Sequence, residues 1–173
     1  MLKPEALTEP LQILPEDPSR DAEAIEALFD ATFGPGHFAK TAERLREYSC
    51  SLPAINRVAR LGDEVIGVCR VWPIMVGTTR ALFYGPVAVS PDHRGSRLGL
   101  SVTGEALEAG AAAGWPVAVL IGAPSYFSEI GFKVAPHGSI RFPGPQDQAR
   151  VMWRALARDT RPEGMVRGAP ELL

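Results

Sequence analysis

Apolar positions along the chain change period several times, and the changes mark its elements. Leu11-Gln12-Ile13-Leu14 alternates and predicts a short first strand ending near Pro15. Beyond it, Ala24, Ile25, Leu28, Phe29 and Phe33 recur at spacings of three and four, which puts them on one face of a helix over residues 21–33. Asp17, with Pro18 at the first helical position, or else Ser19, supplies its cap, and Gly34-Pro35-Gly36 stops it. Thr41 is placed to cap a second helix, with Arg44 where a capping box has Glu, running through Leu45 and Tyr48.

The period then shortens. Residues 56–61, 65–76 and 80–89 read as strands joined at Gly62-Asp63 and Gly77-Thr78, pairs suited to tight turns. Together they predict an antiparallel meander with one face toward solvent. Pro73 and Pro86 each remove a ladder donor, so each implies an edge or a bulge. Residues 98–113 return to a helical stripe of Leu100, Thr103, Leu107 and Gly110. Gly104 and Gly110 each cost about 1 kcal/mol there relative to Ala, for which close packing on a sheet would compensate.

The unbroken apolar run at residues 117–121 predicts a strand buried on both faces. A short helix over 124–129, a strand over 132–134 and a last strand over 151–156 follow. The Pro- and Gly-rich stretches, residues 143–145 and the tail from Arg161, read as surface loops. The order β-α-α-β-β-β-α-β-α-β-β describes an α/β (α+β) fold, a mixed sheet with helices on both faces. The change from meander to βαβ falls at residues 85–99, and a crevice for ligand is expected where topology switches.

Composition narrows this picture little. A chain of 173 residues suits one compact domain, residues 1–173, able to bury a sizeable core without a staple. A net charge of −2 gives no reason to expect nucleic acid or an anionic membrane as partner, so any anion site must be local. No apolar run approaches the roughly 18 residues of a membrane helix, and no signal peptide is visible. Cys50 and Cys69 form no metal-binding or disulfide pattern, so no metal is expected and a reducing cytoplasm fits best.

Candidate chemistry concentrates in one turn. Val87-Ala88-Val89 ends a strand, Pro91-Asp92-His93 turns, and Leu98 is the first apolar residue of the next helix, with Arg94, Gly95, Ser96 and Arg97 between. The first N–H groups of a helix lack intrahelical partners and its dipole favours negative charge there. Gly95 admits close backbone approach, Gly99 leaves room on the helix, and Arg94 and Arg97 add positive charge. A pyrophosphate suits such a turn. The sequence is neither a Walker A loop nor a GxGxxG loop. By itself, the turn also fits a plain strand-to-helix connection with solvated arginines, or the site of an unrelated nucleotide binder.

The segment Val89-Ser90-Pro91-Asp92-His93-Arg94-Gly95-Ser96-Arg97-Leu98-Gly99 resembles motif A of the GNAT superfamily of N-acetyltransferases, a hydrophobic strand, a V-x-P turn and an Arg/Gln-x-x-Gly-x-Gly/Ala loop. Ser125-Tyr126-Phe127-Ser128-Glu129-Ile130-Gly131-Phe132 is similar to that family's Y-x-x-x-G-F ending, and Gly122-Ala123-Pro124-Ser125-Tyr126-Phe127 to the G-D-P-x-Y-Y form of one bacterial subgroup. The resemblance implies the GNAT fold, acetyl-CoA as co-substrate and transfer of its acetyl group to a primary amine of a small molecule or protein. Val87, Ala88 and Val89 would pair with the pantetheine arm at a bulge. Backbone N–H groups from Arg94 through Gly95, Ser96, Arg97 and Leu98 to Gly99 would hold the pyrophosphate. Dimerisation is common in the family, although no segment here specifies an interface.

Two departures bear on chemistry. Arg97 stands at the family's first Gly of Gly-x-Gly, so backbone donation there requires that residue 97 not need a positive φ. The alternative is that its side chain reaches a CoA phosphate instead. Phe127 stands where the family has the tyrosine that protonates the departing thiolate, which phenylalanine cannot do. Tyr126, one residue earlier, is the nearby phenol, with water or Ser125 the alternative donor. The N–H of Val89 is the family-like oxyanion donor. Among candidate bases, Glu64, Glu129, Tyr84 and the loop residue His37 fit solvated or packing roles at least as well. His93 flanks the turn, and Trp72, Trp115 and Trp153 fit core or rim positions. A catalytically weak acyl-CoA-binding module of the same fold is the alternative function.

Overall fold

The computed structural model describes residues 9–34, 41–47 and 49–173. The first strand, β1 (Leu11–Pro15), leads into α1 (Pro18–Phe33). Asp17 caps α1 by accepting from the Ser19 N–H at 3.0 Å, with Pro18 at the first turn, where its missing donor is not needed. Gly34 ends the helix at φ +76°. The short α2 (Thr41–Arg46) takes Thr41 as a helical residue rather than its cap and stops before Tyr48. Tyr48, Pro35, Gly36 and His37 lie outside the described residues.

The meander forms as β2 (Arg57–Leu61), β3 (Glu64–Val76) and β4 (Thr79–Val89), with two-residue turns at Gly62-Asp63 and Gly77-Thr78. After it come α3 (Leu98–Ala112), β5 (Val117–Ile121), α4 (Pro124–Phe127), β6 (Lys133–Val134), β7 (Ile140–Arg141), β8 (Val151–Ala155) and β9 (Gly164–Gly168). The main sheet runs β1-β2-β3-β4-β5-β8-β6, antiparallel except where β4 meets β5 in parallel.

The meander does not turn one face to solvent as its sequence suggests. Ala59, Cys69, Val71, Leu82 and Tyr84 are buried on one face with Leu98, Val102, Ala106 and Leu107 of α3. Val58, Val68 and Ala88 are buried on the other with Ile25, Leu28 and Phe29 of α1. Both positions of the two-residue repeat are apolar in these strands, the pattern of a sheet covered twice. Asp21 of α1 and Arg60 of β2 form an ion pair that is buried on both sides.

The tail is also not a loop. β9 pairs with β3 through Ile74, Met75 and Val76, and with β7, while Val166 and Ala169 are buried. Glycines that read as loop markers permit this approach. A Cβ on Gly77 would lie 2.3 Å from the Glu163 carbonyl oxygen, and one on Gly168 2.7 Å from that of Leu45. Gly85–Pro86 is a cis peptide, and the β3–β4 register shifts by one residue beside it, so Pro86 marks a bulge. Pro73 lies where the flank of β3 passes from β2, paired up to Cys69, to β9, paired from Ile74. Among the described residues no helix is long and apolar enough to cross a membrane.

Candidate active site

The sheet opens at the place where the turn begins. β4 pairs with β5 only at Leu82 and Phe83, and beyond the bulge it keeps β3 alone as a strand neighbour. The Ser90 N–H donates to the Ile66 carbonyl at 2.8 Å, which makes positions 66 and 90 a hydrogen-bonded pair of the ladder. Antiparallel pairs alternate, which makes Val68↔Ala88 a bonded pair and leaves Gly67↔Val89 and Cys69↔Val87 unbonded. The N–H and C=O groups of Val87 and Val89 therefore face away from β3, into the opening beside β5. Ala88 serves another purpose, since its bonds hold β3 and its side chain is buried against α1.

The turn is built largely by its own backbone. A 3-10 turn (Pro91–His93) ends where the Ser96 N–H and hydroxyl both donate to the His93 carbonyl, at 3.3 and 2.5 Å. The Arg94 N–H reaches the Pro91 carbonyl at 3.4 Å. Two of the six N–H groups expected to face a pyrophosphate are thus engaged within the turn. Gly95 sits at φ +81°, a conformation that a side chain would strain. The first helical bond of α3 runs from the Ser101 N–H to the Arg97 carbonyl at 3.1 Å, so the N–H groups of Leu98 and Gly99 precede the helical ladder. Leu98 fixes the helix start by packing on Gly67, where an added Cβ would lie 3.1 Å from its side chain.

Arg97 differs from expectation twice. It caps α3 in the left-handed region, at φ +63°, so position 97 does require the conformation that glycine adopts without cost. Its guanidinium forms an ion pair with Glu129, on the 3-10 turn (Ser128–Ile130) that follows α4. That contact also holds the guanidinium above its ordinary pKa, through the hydrogen bond first and then the charge. Arg94, by contrast, makes no side-chain hydrogen bond or ion pair among the described residues, which leaves its charge available. The two arginines that look equivalent in the sequence are in different states.

The aromatic pair after β5 divides its work. Phe127 turns inward, where it contacts the α3-side core and Phe132 at a ring separation of 6.3 Å. A Cβ on Gly122 would lie 2.5 Å from its ring. Tyr126 packs edge-on against Phe127, with ring centroids 5.0 Å apart, and extends toward α3. Its hydroxyl lies where a Gly99 Cβ would be 2.6 Å distant, with Val89 Cγ2 3.6 Å from the same point. Gly99 thus makes room for a phenol on the first turn of α3, in addition to any room it leaves for phosphate. Tyr126, Val89 and the helix start converge.

Other candidates separate from this centre. Tyr84 is buried under α3, its hydroxyl 3.4 Å from the Ala106 carbonyl, and burial pushes its phenol far above the ordinary range. Glu64 is exposed at the β2–β3 turn, and Glu129 is occupied by Arg97. His93 is half-buried beside the turn. Trp72 does more than pack, because its indole N–H donates to the Gly85 carbonyl at 2.8 Å and braces the bulge.

One group escaped the sequence reading altogether. Arg70, opposite the bulge, is gripped by Glu16 through Nη2 at 2.9 Å and Nε at 3.2 Å, and by Glu26 at 2.9 Å. Asn56, fully buried, donates to Glu16 at 2.7 Å and accepts from the Val71 N–H at 2.7 Å. Burial, not sequence pattern, identifies Glu16 and Asn56, which no periodicity or motif marks.

Comparison with known proteins agrees with this geometry. The model of the Acetyltransferase (GNAT) family matches residues 22–124. The fold is similar to that of the GNAT family N-acetyltransferase YhbS from Escherichia coli, solved in complex with CoA, at TM-score 0.76 and 26% identity over 99% of this chain and 96% of that one. A GNAT family acetyltransferase from Brucella melitensis, solved in complex with acetyl-CoA, aligns at TM-score 0.69 and 24% identity, covering 95% and 99%. A putative N-acetyltransferase from Lactobacillus plantarum shares the fold at TM-score 0.60 and 20% identity, covering 86% and 98%. No curated protein matches the sequence.

Proposed function

The chain belongs to the acetyltransferase (GNAT) family, and from that premise we propose that it transfers the acetyl group of acetyl-CoA to a primary amine of a small molecule or protein. The observation that carries the reading is the open flank of β4, where Val87 and Val89 turn their backbone groups toward the gap beside β5. An amide-bearing arm such as pantetheine can complete that ladder as a missing strand would. The N–H groups of Gly95, Leu98 and Gly99, with the Arg94 guanidinium, suit the pyrophosphate. Relatives solved with CoA and acetyl-CoA support the same ligand here.

Acetyl-CoA supplies an activated thioester, and the chain supplies positioning and proton transfer. The Val89 N–H, aimed away from β3, is placed to donate to the acyl oxygen as negative charge develops. The Tyr126 hydroxyl, over Gly99 and beside Val89, is assigned the proton for the departing thiolate. Phe127 cannot take that part, because its ring carries no hydroxyl; it packs half-buried against the core. Free thiols at Cys50 and Cys69 suit a reducing compartment, and on that ground we assign the protein to the cytoplasm.

The test follows release of free thiol over a panel of primary amines, with CoA affinity measured separately. Tyr126→Phe is expected to lower kcat by roughly ten- to a thousandfold while leaving the Kd for CoA within about twofold. An unchanged kcat would remove Tyr126 from the mechanism. Phe127, in place of the family's proton-donating tyrosine, also favours a second reading, a binding module with weak transfer. Tight acetyl-CoA binding with no thiol release from any amine would select it.

A further inference from the structure

We infer that Glu129 competes with the phosphates of CoA for the Arg97 guanidinium, and so sets how tightly this chain holds CoA. The inference rests on the acetyl-CoA site proposed above. Three features lead to it. Arg97 occupies the cap of α3 in a left-handed conformation, so its presence there is not explained by backbone preference. Its guanidinium crosses to Glu129, 32 residues along the chain, on the segment that also carries Tyr126. Arg94, three residues before it, is left with no such partner among the described residues.

The pair is exposed, at 64% for the Arg97 side chain and 41% for that of Glu129. Exposed pairs exchange readily with water and contribute little to stability. The contact therefore matters chiefly for where it leaves charge. A guanidinium binds a phosphate or a carboxylate with the same face of parallel donors. Glu129 occupies Nη2, so a phosphate arriving at the turn must share the guanidinium with it. The carboxylate also stays beside the turn, where it repels the phosphates. Both effects weaken CoA binding relative to a chain with no charge at 129. Because Glu129 follows Tyr126 by three residues, this exchange also joins the phosphate turn to the segment bearing the proposed acid.

The experiment is a calorimetric titration of CoA into the unsubstituted protein, Glu129→Gln, Arg97→Gly and the double variant, at low and high salt. Glycine at 97 keeps the left-handed cap, and glutamine at 129 is isosteric and exposed, so the turn is retained in each. Glu129→Gln is expected to bind CoA roughly three- to tenfold more tightly at low salt. The advantage should shrink as salt rises. In the Arg97→Gly background the same change should give less than about half of that gain. An affinity unchanged or weakened by Glu129→Gln would overturn the inference. An equal gain in the Arg97→Gly background would do so too, because simple repulsion would then suffice without a shared arginine. Absence of CoA binding by the unsubstituted protein would overturn the site itself, a result distinct from either.

Discussion

Cys69 and Cys50 show how far one residue type can diverge within a chain. Cys69 is fully buried against α3, and burial pushes its thiol up to about 12, whereas Cys50 is exposed. Since the thiolate is the reactive form, one thiol should titrate quickly in the native protein and the second only on unfolding. An aromatic disulfide reagent measures this directly, and two fast equivalents would show that the β3 core opens. Tyr126 and Phe127 diverge as well. The letters alone identify Tyr126 as the phenol near the motif and Phe127 as unable to donate. They do not say that Phe127 packs against the core while the Tyr126 hydroxyl reaches Gly99, because a short helix presents successive side chains about 100° apart and packing chooses which enters the core. Arg97 is illegible in the sequence for a similar reason. A positive φ is a property of the closed turn, and its Glu129 partner lies far along the chain.

Among elements, α3 separates two glycines of equal intrinsic cost. Gly110 is buried, and a Cβ there would lie 2.4 Å from the Tyr84 hydroxyl and 3.0 Å from Leu82. Gly104 is half-buried with nothing within 4 Å of the same position. Gly104→Ala should therefore stabilise by about 0.5–1 kcal/mol, the ordinary helical gain. Gly110→Ala should destabilise by about 1–3 kcal/mol through overpacking. Denaturant midpoints of the two variants test this, and shifts of the same sign would refute the packing argument. The helices and the long strands were legible because each repeats its period over several turns or pairs. β7 and β9 were not, since two to five residues beside Gly and Pro carry no period, and their pairing comes from chain closure onto β3.

At the scale of the whole molecule, buried titratable groups tie stability to pH. Cys69 and Tyr84 lie together beneath α3, and burial raises both above their ordinary values of 9.0 and 10.0. The unfolded chain releases these protons as pH climbs past those values, while the folded chain retains them. Their contribution is complete below about pH 9 and is lost as pH rises toward the folded values. Denaturant midpoints should fall between about pH 8.5 and about pH 10.5, and Cys69→Ala should flatten the fall. A midpoint independent of pH in that window would contradict the burial of these groups.

The sequence by itself determined the order of most elements, the strand-turn-helix at residues 85–99 and the family to which the chain belongs. Those depend on local periodicity, turn chemistry and a contiguous motif, all written within a few tens of residues. Only the tertiary structure decided that β4 parts from β5 after Phe83, that Tyr126 covers Gly99, that Arg97 answers to Glu129, and that the tail closes the sheet. Each of these joins segments distant in the chain, and such contacts are selected by burial and close approach, which no local pattern encodes.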